Sequence, residues 1–249
     1  MTRVWIICWA AFLIGGAGLF AASRRSAQPV RRARLTKFVT YFGIVNGMLL
    51  GAEAGRVAFS VIVVAIALMG AQELIALLPT ASGDRWSVGC AMCSAYLLIA
   101  AGAVAFAWQA RPALTMTIYL VICTFDGFSQ VTGQLLGRHK LAPRLSPGKT
   151  MEGTAGGVIA ALGMVFLLRP TVGWSFARCL AAGCFLAVAA LAGDLLASAV
   201  KRRSGVKDFG TRLPGHGGIL DRFDSFLFAC SAWAAVVAAA GIWGNRNAW

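Results

Sequence analysis

The run FARCLAAGCFLAVAALAGDLLASAV occupies residues 176–200, and its apolar character decides the class of fold. A helix needs about 20 mainly apolar residues to cross a hydrocarbon core roughly 30 Å thick. This run meets that length with two charged residues inside it, Arg178 and Asp194. It is therefore predicted to be a transmembrane helix.

Similar apolar runs lie on both sides of it along the chain. They are found near residues 3–22, 37–54, 57–78, 88–108, 113–136, 154–168 and 223–243. Of the 249 residues, 59% are hydrophobic and 13% are charged, and the mean hydropathy is +0.74. A soluble domain of this length would need more polar surface. The sequence predicts an all-α, polytopic transmembrane bundle of about eight spans.

The net charge of +14 would, in a soluble protein, suggest a nucleic-acid partner. If the chain alternates sides of a membrane, however, four linkers share one side: 23–36, 79–87, 138–153 and 201–222. Together with Lys37 they hold 17 of the 23 Lys and Arg residues. Short loops rich in Lys and Arg stay in the cytoplasm. The charge therefore predicts cytoplasmic loops and outside termini, with a lipid bilayer and no nucleic acid as partner.

Most of the acidic residues stand beside the last two of these linkers. Six of the nine lie at span ends or in loops there: Asp126, Glu152, Asp194, Asp208, Asp221 and Asp224. An ionisable residue inside a membrane span is costly, so it usually faces a cavity or a charged partner. This distribution predicts a polar site at one end of the bundle.

The end of the 176–200 run carries a polar stripe. Asp194, Ser198 and Lys201 are spaced i, i+4 and i+7, which places them on one helical face, and Arg202 follows one turn after Ser198. A deep carboxylate with cations nearer the surface suits a pocket for a hydrated divalent ion and a polyphosphate. A polar stripe packed against another span is the alternative.

The loop that follows repeats this chemistry. Glycines at 215, 217 and 218 let the backbone approach a ligand closely. Lys207, Arg212 and Arg222 provide cations for phosphate oxygens. Asp221 and Asp224 are spaced i, i+3 at the start of the last span, and carboxylate oxygens suit Mg²⁺.

Residues 198–224 read SAVKRRSGVKDFGTRLPGHGGILDRFD, and this pattern resembles the signature of the phosphatidate cytidylyltransferase (CDP-diacylglycerol synthase) family. A second block is also similar to that family. It comprises Asp126, Gly133, the segment 137–141 and the segment 146–153, which reads SPGKTMEG. The resemblance is close from about residue 120 to residue 230.

The resemblance implies that CTP and phosphatidic acid react to give CDP-diacylglycerol and pyrophosphate, with Mg²⁺ and, as an open alternative, a second cation. The expected catalytic residues are Asp194, Lys201, His216 and Asp221. The expected metal ligands are Asp194, Asp221 and Asp224. The expected substrate-binding residues are Asp126, Ser146, Lys149, Thr150, Ser198, Arg202, Lys207, Arg212, Gly217, Gly218 and Arg222. For His216, the roles of phosphate donor, loop residue and base stay open.

The apolar runs predict one integral membrane domain over residues 1–249, with N-terminal spans in 1–112 and a catalytic core that carries the family motifs in 113–243. The expected location is the inner membrane of a bacterium, with the active site facing the cytoplasm, and a homodimer stays open. The chain departs from the family pattern at Ala197 and at Gly127–Gln130. A paralogue acting on a different lipid phosphate and a non-enzymatic transporter of anionic substrates are the alternatives.

Two acidic residues are not assigned by these patterns. Glu152 could pair with Lys149 or lie near the metal, and Glu73, inside the third span, has no predicted partner.

The fifth span has a polar face. Asp126, Ser129, Gln130 and Gly133 are at offsets of three, four and seven, and this stripe is predicted to border the cavity for the lipid headgroup.

Overall fold

The computed structural model describes residues 1–23, 27–77, 84–213 and 217–241. Within these ranges the chain forms eight helices and one two-stranded hairpin. In chain order, the elements are α1 (Thr2–Ser23), α2 (Gln28–Glu53), α3 (Arg56–Ala76), α4 (Asp84–Gln109), α5 (Pro112–Leu136), β1 (Lys140–Ala142), β2 (Ser146–Thr150), α6 (Met151–Val172), α7 (Phe176–Arg203) and α8 (Leu220–Ala239).

Each predicted apolar run corresponds to one helix, so the polytopic helical membrane fold is confirmed. Among the described residues, seven helices (α2 to α8) are long and apolar enough to cross a membrane, and α1 contains a shorter apolar stretch, Thr2–Ala17. The predicted number was about eight. Many large apolar side chains point outward, such as Leu98 at 74% and Ile159 at 71% exposure. In a bilayer these surfaces face lipid.

Two of the predicted linkers have more regular structure than the sequence indicated. The basic segment before the second span was expected to be a linker to residue 36, but α2 already begins at Gln28. Pro29 in the first turn and the Arg residues that follow favour a helix, which explains this extension. The linker 138–153 contains the short antiparallel β1–β2 hairpin, which is added to an otherwise helical fold.

The hairpin closes on the first turn of α6. Glu152 accepts hydrogen bonds from the backbone N–H groups of Arg138 and His139, and its Oε1 lies 2.5 Å from Nδ1 of His139. Thr150 is the N-cap of α6, and its hydroxyl accepts a hydrogen bond from the Gly153 N–H. Glu152 thus pairs with His139 rather than with Lys149. This pairing holds the chain before β1 against the first turn of α6.

Small residues allow α5 and α6 to approach closely, and this pair packs most extensively in the bundle. Gly153 and Gly157 of α6 face α5. A Cβ atom built on Gly157 would lie 1.9 Å from Oγ of Ser129, and one on Gly153 would lie 2.6 Å from the Ser129 carbonyl oxygen. Close contact through small residues is the usual way in which membrane helices associate. It sets the orientation of the polar face of α5.

Helix α8 lies inside the bundle and packs mainly on α4 and α7, with further contacts to α3 and α5. Its Phe226 ring is perpendicular to those of Phe59 in α3 and Tyr119 in α5, with centroid distances of 6.3 and 5.5 Å. The start of α8 therefore has a fixed position next to the ends of α5 and α7, where the charged residues cluster.

Candidate active site

A cavity of about 650 Å³ opens between α2, α5, the β1–β2 hairpin, α7 and the start of α8. Two sequence blocks that are far apart in the chain meet in its wall. Nine of the site residues predicted from the sequence line this cavity: Asp126, Ser146, Lys149, Thr150, Asp194, Lys207, Asp221, Arg222 and Asp224. The hairpin and the loop before α8 thus contribute to one site.

Three carboxylates of three different helices converge on this cavity: Asp126 of α5, Asp194 of α7 and Asp224 of α8. Asp126 and Asp224 each lie close enough to Asp194 for their charges to interact. Oδ2 of Asp224 is buried and accepts no hydrogen bond from the described part of the chain, whereas Oδ2 of Asp194 is paired with the Lys149 ammonium. Buried carboxylate oxygens that lack donors have the capacity to bind a cation.

Basic side chains line the same cavity. Lys149 of the hairpin forms an ion pair with Asp194, with 2.5 Å between Nζ and Oδ2. Both side chains are about one-quarter exposed, so the pair is accessible to solvent and to a ligand. Lys207 and Arg222 complete the basic part of the wall. Cations beside carboxylates are the arrangement needed to hold a polyphosphate together with a metal ion.

Both carboxylate oxygens of Asp221 are engaged by other groups of the chain. Oδ1 lies 2.8 Å from Nζ of Lys201, and Oδ2 accepts hydrogen bonds from the N–H groups of Phe209 and Gly218, each at 2.8 Å. The Lys201 ammonium also lies 5.1 Å from the centroid of the Phe209 ring. A carboxylate has about four acceptor positions, and three are filled here. These contacts tie the loop between α7 and α8 to the start of α8.

Several predicted site residues lie elsewhere. Ser198 is buried in α7 at 8% exposure, away from the cavity wall. Arg202 donates hydrogen bonds to the carbonyls of Leu145 and Val206, and so joins the hairpin to the loop after α7. Arg212 contacts α3 rather than the cavity.

Gly217 and Gly218, predicted to bind substrate, instead contact Asp221 within the loop. Gly217 has φ +82°, and a Cβ there would lie 2.9 Å from Oδ2 of Asp221. Gly218 donates to the same oxygen. His216 lies outside the described residues.

The polar stripe of α5 is where the sequence predicted it. Asp126, Ser129, Gln130 and Gly133 all line the cavity. That this cavity receives the lipid headgroup stays a prediction. Cys123 and Tyr119 continue the same face one and two turns before Asp126 and were not predicted. Their spacing of four residues would have revealed them. Tyr41 of α2 also lines the cavity, and no local sequence pattern indicates it.

Glu73 had no partner predicted from the sequence. Its side chain is 3% exposed, and its carboxylate accepts hydrogen bonds from the backbone N–H groups of Ile219 and Leu220. The contact joins positions 146 and 147 residues apart. No signal within the sequence of α3 could have identified it.

The described residues contain no group of three or more His, Cys, Asp or Glu side chains placed to hold a metal ion. Mg²⁺ is usually held by one or two carboxylates together with substrate phosphates, so a complete protein cage is not required. The fold and the site thus define a polytopic membrane protein with a charged cavity at one end of its helices, suited to a phosphorylated ligand.

Comparison with known proteins shows to which family this membrane protein belongs. The cytidylyltransferase family model matches residues 91–240. The chain therefore belongs to the cytidylyltransferase family, and the resemblance inferred from the two sequence blocks is confirmed. The matched region begins earlier than the expected start near residue 120 and includes most of α4.

Two of its relatives are named phosphatidate cytidylyltransferase. The one from Bacillus subtilis is 47% identical over 119 residues, which are 46% of this chain and 44% of the relative. The one from Staphylococcus saprophyticus is 45% identical over 112 residues, 44% of this chain and 43% of the relative. An uncharacterized protein of Escherichia coli, YnbB, is 40% identical over 118 residues, 47% of this chain and 40% of the relative. The matched part spans less than half the length of each relative.

Proposed function

We propose that this protein transfers the cytidylyl group of CTP to phosphatidic acid, giving CDP-diacylglycerol and pyrophosphate. Membership of the cytidylyltransferase family and the names of the relatives support the reaction class. The observation that carries the proposal is the single cavity in which the hairpin block and the α7–α8 block meet. It combines cations for phosphate groups with carboxylates for a metal ion.

In this reaction a phosphate oxygen of the lipid attacks the α-phosphorus of CTP. The new P–O bond forms as the bond from the α-phosphorus to the bridging oxygen of the β-phosphate breaks, and pyrophosphate leaves. A phosphate monoester has a second pKa near 6, so it is largely dianionic at neutral pH and needs no strong general base. The difficulty is the approach of two anions, which calls for positioning and charge neutralisation.

The basic residues of the cavity would provide much of that neutralisation. Lys149, Lys207 and Arg222 line the wall and can contact phosphate oxygens. Lys149 is already paired with Asp194, and the pair is partly exposed, so the ammonium can share its charge with an entering phosphate. Lys201 is held by Asp221, and its predicted catalytic role would be exerted through the position of the loop.

The donor set fits the implied Mg²⁺. Asp194 and Asp224 would hold it, because Oδ2 of Asp224 is buried without a donor from the described residues and Asp194, paired with Lys149, lies beside it. Asp126 lies close enough to add charge. When bound, the ion neutralises negative charge on the phosphates of CTP. Asp221 was also expected to be a ligand, but its engaged oxygens support a role in fixing the loop. A second cation stays a proposal.

A second cavity supports a lipid as the acceptor. It has a volume of about 400 Å³, lies between α4, α7 and α8, and is lined mainly by apolar side chains such as Met92, Leu196 and Phe228. Asp224 lines both this cavity and the charged one. An apolar space that borders the charged site can receive an acyl chain while the headgroup phosphate lies near the cations.

We further propose one membrane domain whose charged cavity faces the cytoplasm of a bacterial cell. The hairpin and the end of α7 meet through Arg202 and Leu145, so these two basic segments share one side. The asymmetry of Lys and Arg supports the cytoplasmic assignment. A homodimer stays a proposal.

The proposed function is tested with purified protein in detergent, CTP, Mg²⁺ and a panel of lipid phosphates, by following pyrophosphate. Release should require CTP, phosphatidic acid and Mg²⁺ together. Lys149→Ala should lower the rate, whereas Arg144→Ala, an exposed position in the same hairpin outside the cavity wall, should not. Release with a different lipid phosphate alone would correct the substrate, and no release with any of them would refute the reaction.

A further inference from the structure

Glu73 lies near the end of α3, outside the region that the family model matches. Its side chain is 3% exposed within a membrane-spanning helix. A buried carboxylate in such a position is costly unless polar partners compensate for the lost water. Its partners therefore indicate why it is there.

These partners are the first backbone amides of α8. Ile219 N–H donates to Oε1 at 3.0 Å, and Leu220 N–H donates to Oε2 at 2.9 Å. The first N–H groups of a helix have no partner within the helix, and a negative charge is favourable there. The N-cap residue of α8, Ile219, makes no side-chain cap of its own. Glu73 thus caps α8 from another helix.

The same end of α3 also holds the loop that precedes α8. Arg212 donates through Nη2 to Oε1 of Gln72 at 3.0 Å and through Nη1 to the Met69 carbonyl at 3.4 Å. Its Nε lies 3.9 Å from Oε1 of Glu73. The Leu213 N–H donates to the Gly217 carbonyl at 2.8 Å. α3 therefore contacts the loop on both sides of residues 214–216.

Two glycines make room for the Glu73 carboxylate. A Cβ on Gly210 would lie 2.9 Å from Oε1, and its other near contacts are also atoms of Glu73. A Cβ on Gly218 would lie 2.4 Å from Oε2. A side chain at either position would displace the carboxylate, so the loop and Glu73 fit each other closely.

We infer that Glu73 is a positioning residue for the proposed cytidylyl transfer, on which this inference rests. The first turn of α8 begins at the amides that Glu73 binds, and it carries Asp221, Arg222 and Asp224, which line the charged cavity. A displacement of α8 by a fraction of an ångström would move all three. Misplacement by 1 Å can cost about 100-fold in rate, even when the changed residue is remote from the reacting atoms.

The first test is Glu73→Gln, which keeps the size but replaces one acceptor oxygen by an NH₂ donor facing a backbone N–H. The kcat of pyrophosphate release should fall about 10- to 100-fold, and the KM for CTP should change less. Glu53→Gln is the matched control. Glu53 ends α2 and accepts a hydrogen bond from Trp5 at 2.7 Å, so the same exchange there should leave kcat within about twofold of the wild type.

Gly210→Ala approaches the same contact from the loop. It should lower kcat in the wild type but add less than about a twofold loss when Glu73 is replaced by Ala, because the clash is then removed. Equal losses in both backgrounds would contradict the inference. This comparison still tests the contact between Glu73 and the loop if Glu73→Gln gives too little folded protein.

Hydrogen exchange gives a readout that does not depend on activity. Peptides covering residues 208–222 should exchange faster in Glu73→Gln than in the wild type. If the wild type releases no pyrophosphate, the proposed function fails, and the exchange data still test the contact. If the wild type is active and the variant matches it in kcat and exchange, the inference is overturned. A fall in kcat that only follows a lower folded fraction would also overturn it.

Discussion

Asp194 and Asp221 were both predicted to bind the metal ion, and Asn substitutions separate the roles that the structure gives them. Asp194→Asn keeps the size and removes one charge from the proposed cation site. The expected loss in kcat is about 10²- to 10³-fold, or roughly 2.7–4 kcal/mol, the range found when one preorganised electrostatic contact is removed from an active site. The Mg²⁺ concentration for half-maximal pyrophosphate release should also rise.

Stability should change little in Asp194→Asn. The ion pair with Lys149 is partly exposed, so losing it costs about 0.2–1 kcal/mol. The loss of repulsion among Asp126, Asp194 and Asp224 offsets part of that cost. Thermal unfolding in detergent should therefore show a midpoint close to that of the wild type.

Asp221→Asn should behave in the opposite way. The Asp221 and Lys201 side chains are 2% and 12% exposed, and removing one partner of such a buried pair costs about 3–5 kcal/mol. An Asn there also turns a donor toward Lys201 or toward the amides of Phe209 and Gly218. The unfolding midpoint should fall clearly, and the Mg²⁺ dependence of the remaining folded protein should match the wild type.

Two results would refute this division of roles. If Asp221→Asn kept its unfolding midpoint and shifted the Mg²⁺ dependence, Asp221 would be a cation ligand, as the sequence suggested. If Asp194→Asn kept near-normal activity, the cation site would not include Asp194.

Two further predictions concern the lipid and the membrane orientation. The double variant Ser129→Ala, Gln130→Tyr should alter the KM or the identity of the preferred lipid phosphate, because both residues belong to the cavity-lining face of α5. Its CTP affinity should stay within a few-fold of the wild type. Weaker CTP binding with an unchanged lipid preference would assign this face to the nucleotide. In a cysteine-free background, an impermeant thiol reagent should label cysteines at Ser146 and Thr211 from the same side and a cysteine in the turn between α2 and α3 from the other side. Labelling of all three from one side would mean that the span count is off by one.

The helices were predictable because the property that forms them is local. A run such as 176–200 must be helical in a bilayer, since every backbone polar group needs a partner within the segment. The polar face of α5 was predictable for the same reason, because residues three, four and seven apart share one face of any α-helix. The hairpin at 140–150 was missed, because its pairing depends on Glu152 closing it against α6.

The sequence by itself determined the membrane-spanning helices, the family and the set of charged residues from which the site is built. The tertiary structure alone decided which charges meet: Lys149 pairs with Asp194, Lys201 with Asp221, and Glu73 with the first amides of α8. The physical reason is that a buried charge is stabilised by whichever partners the packing of the helices brings within hydrogen-bond distance. Those partners lie far away along the chain, so no local pattern distinguishes a carboxylate that is free to bind a cation from one that holds a loop in place.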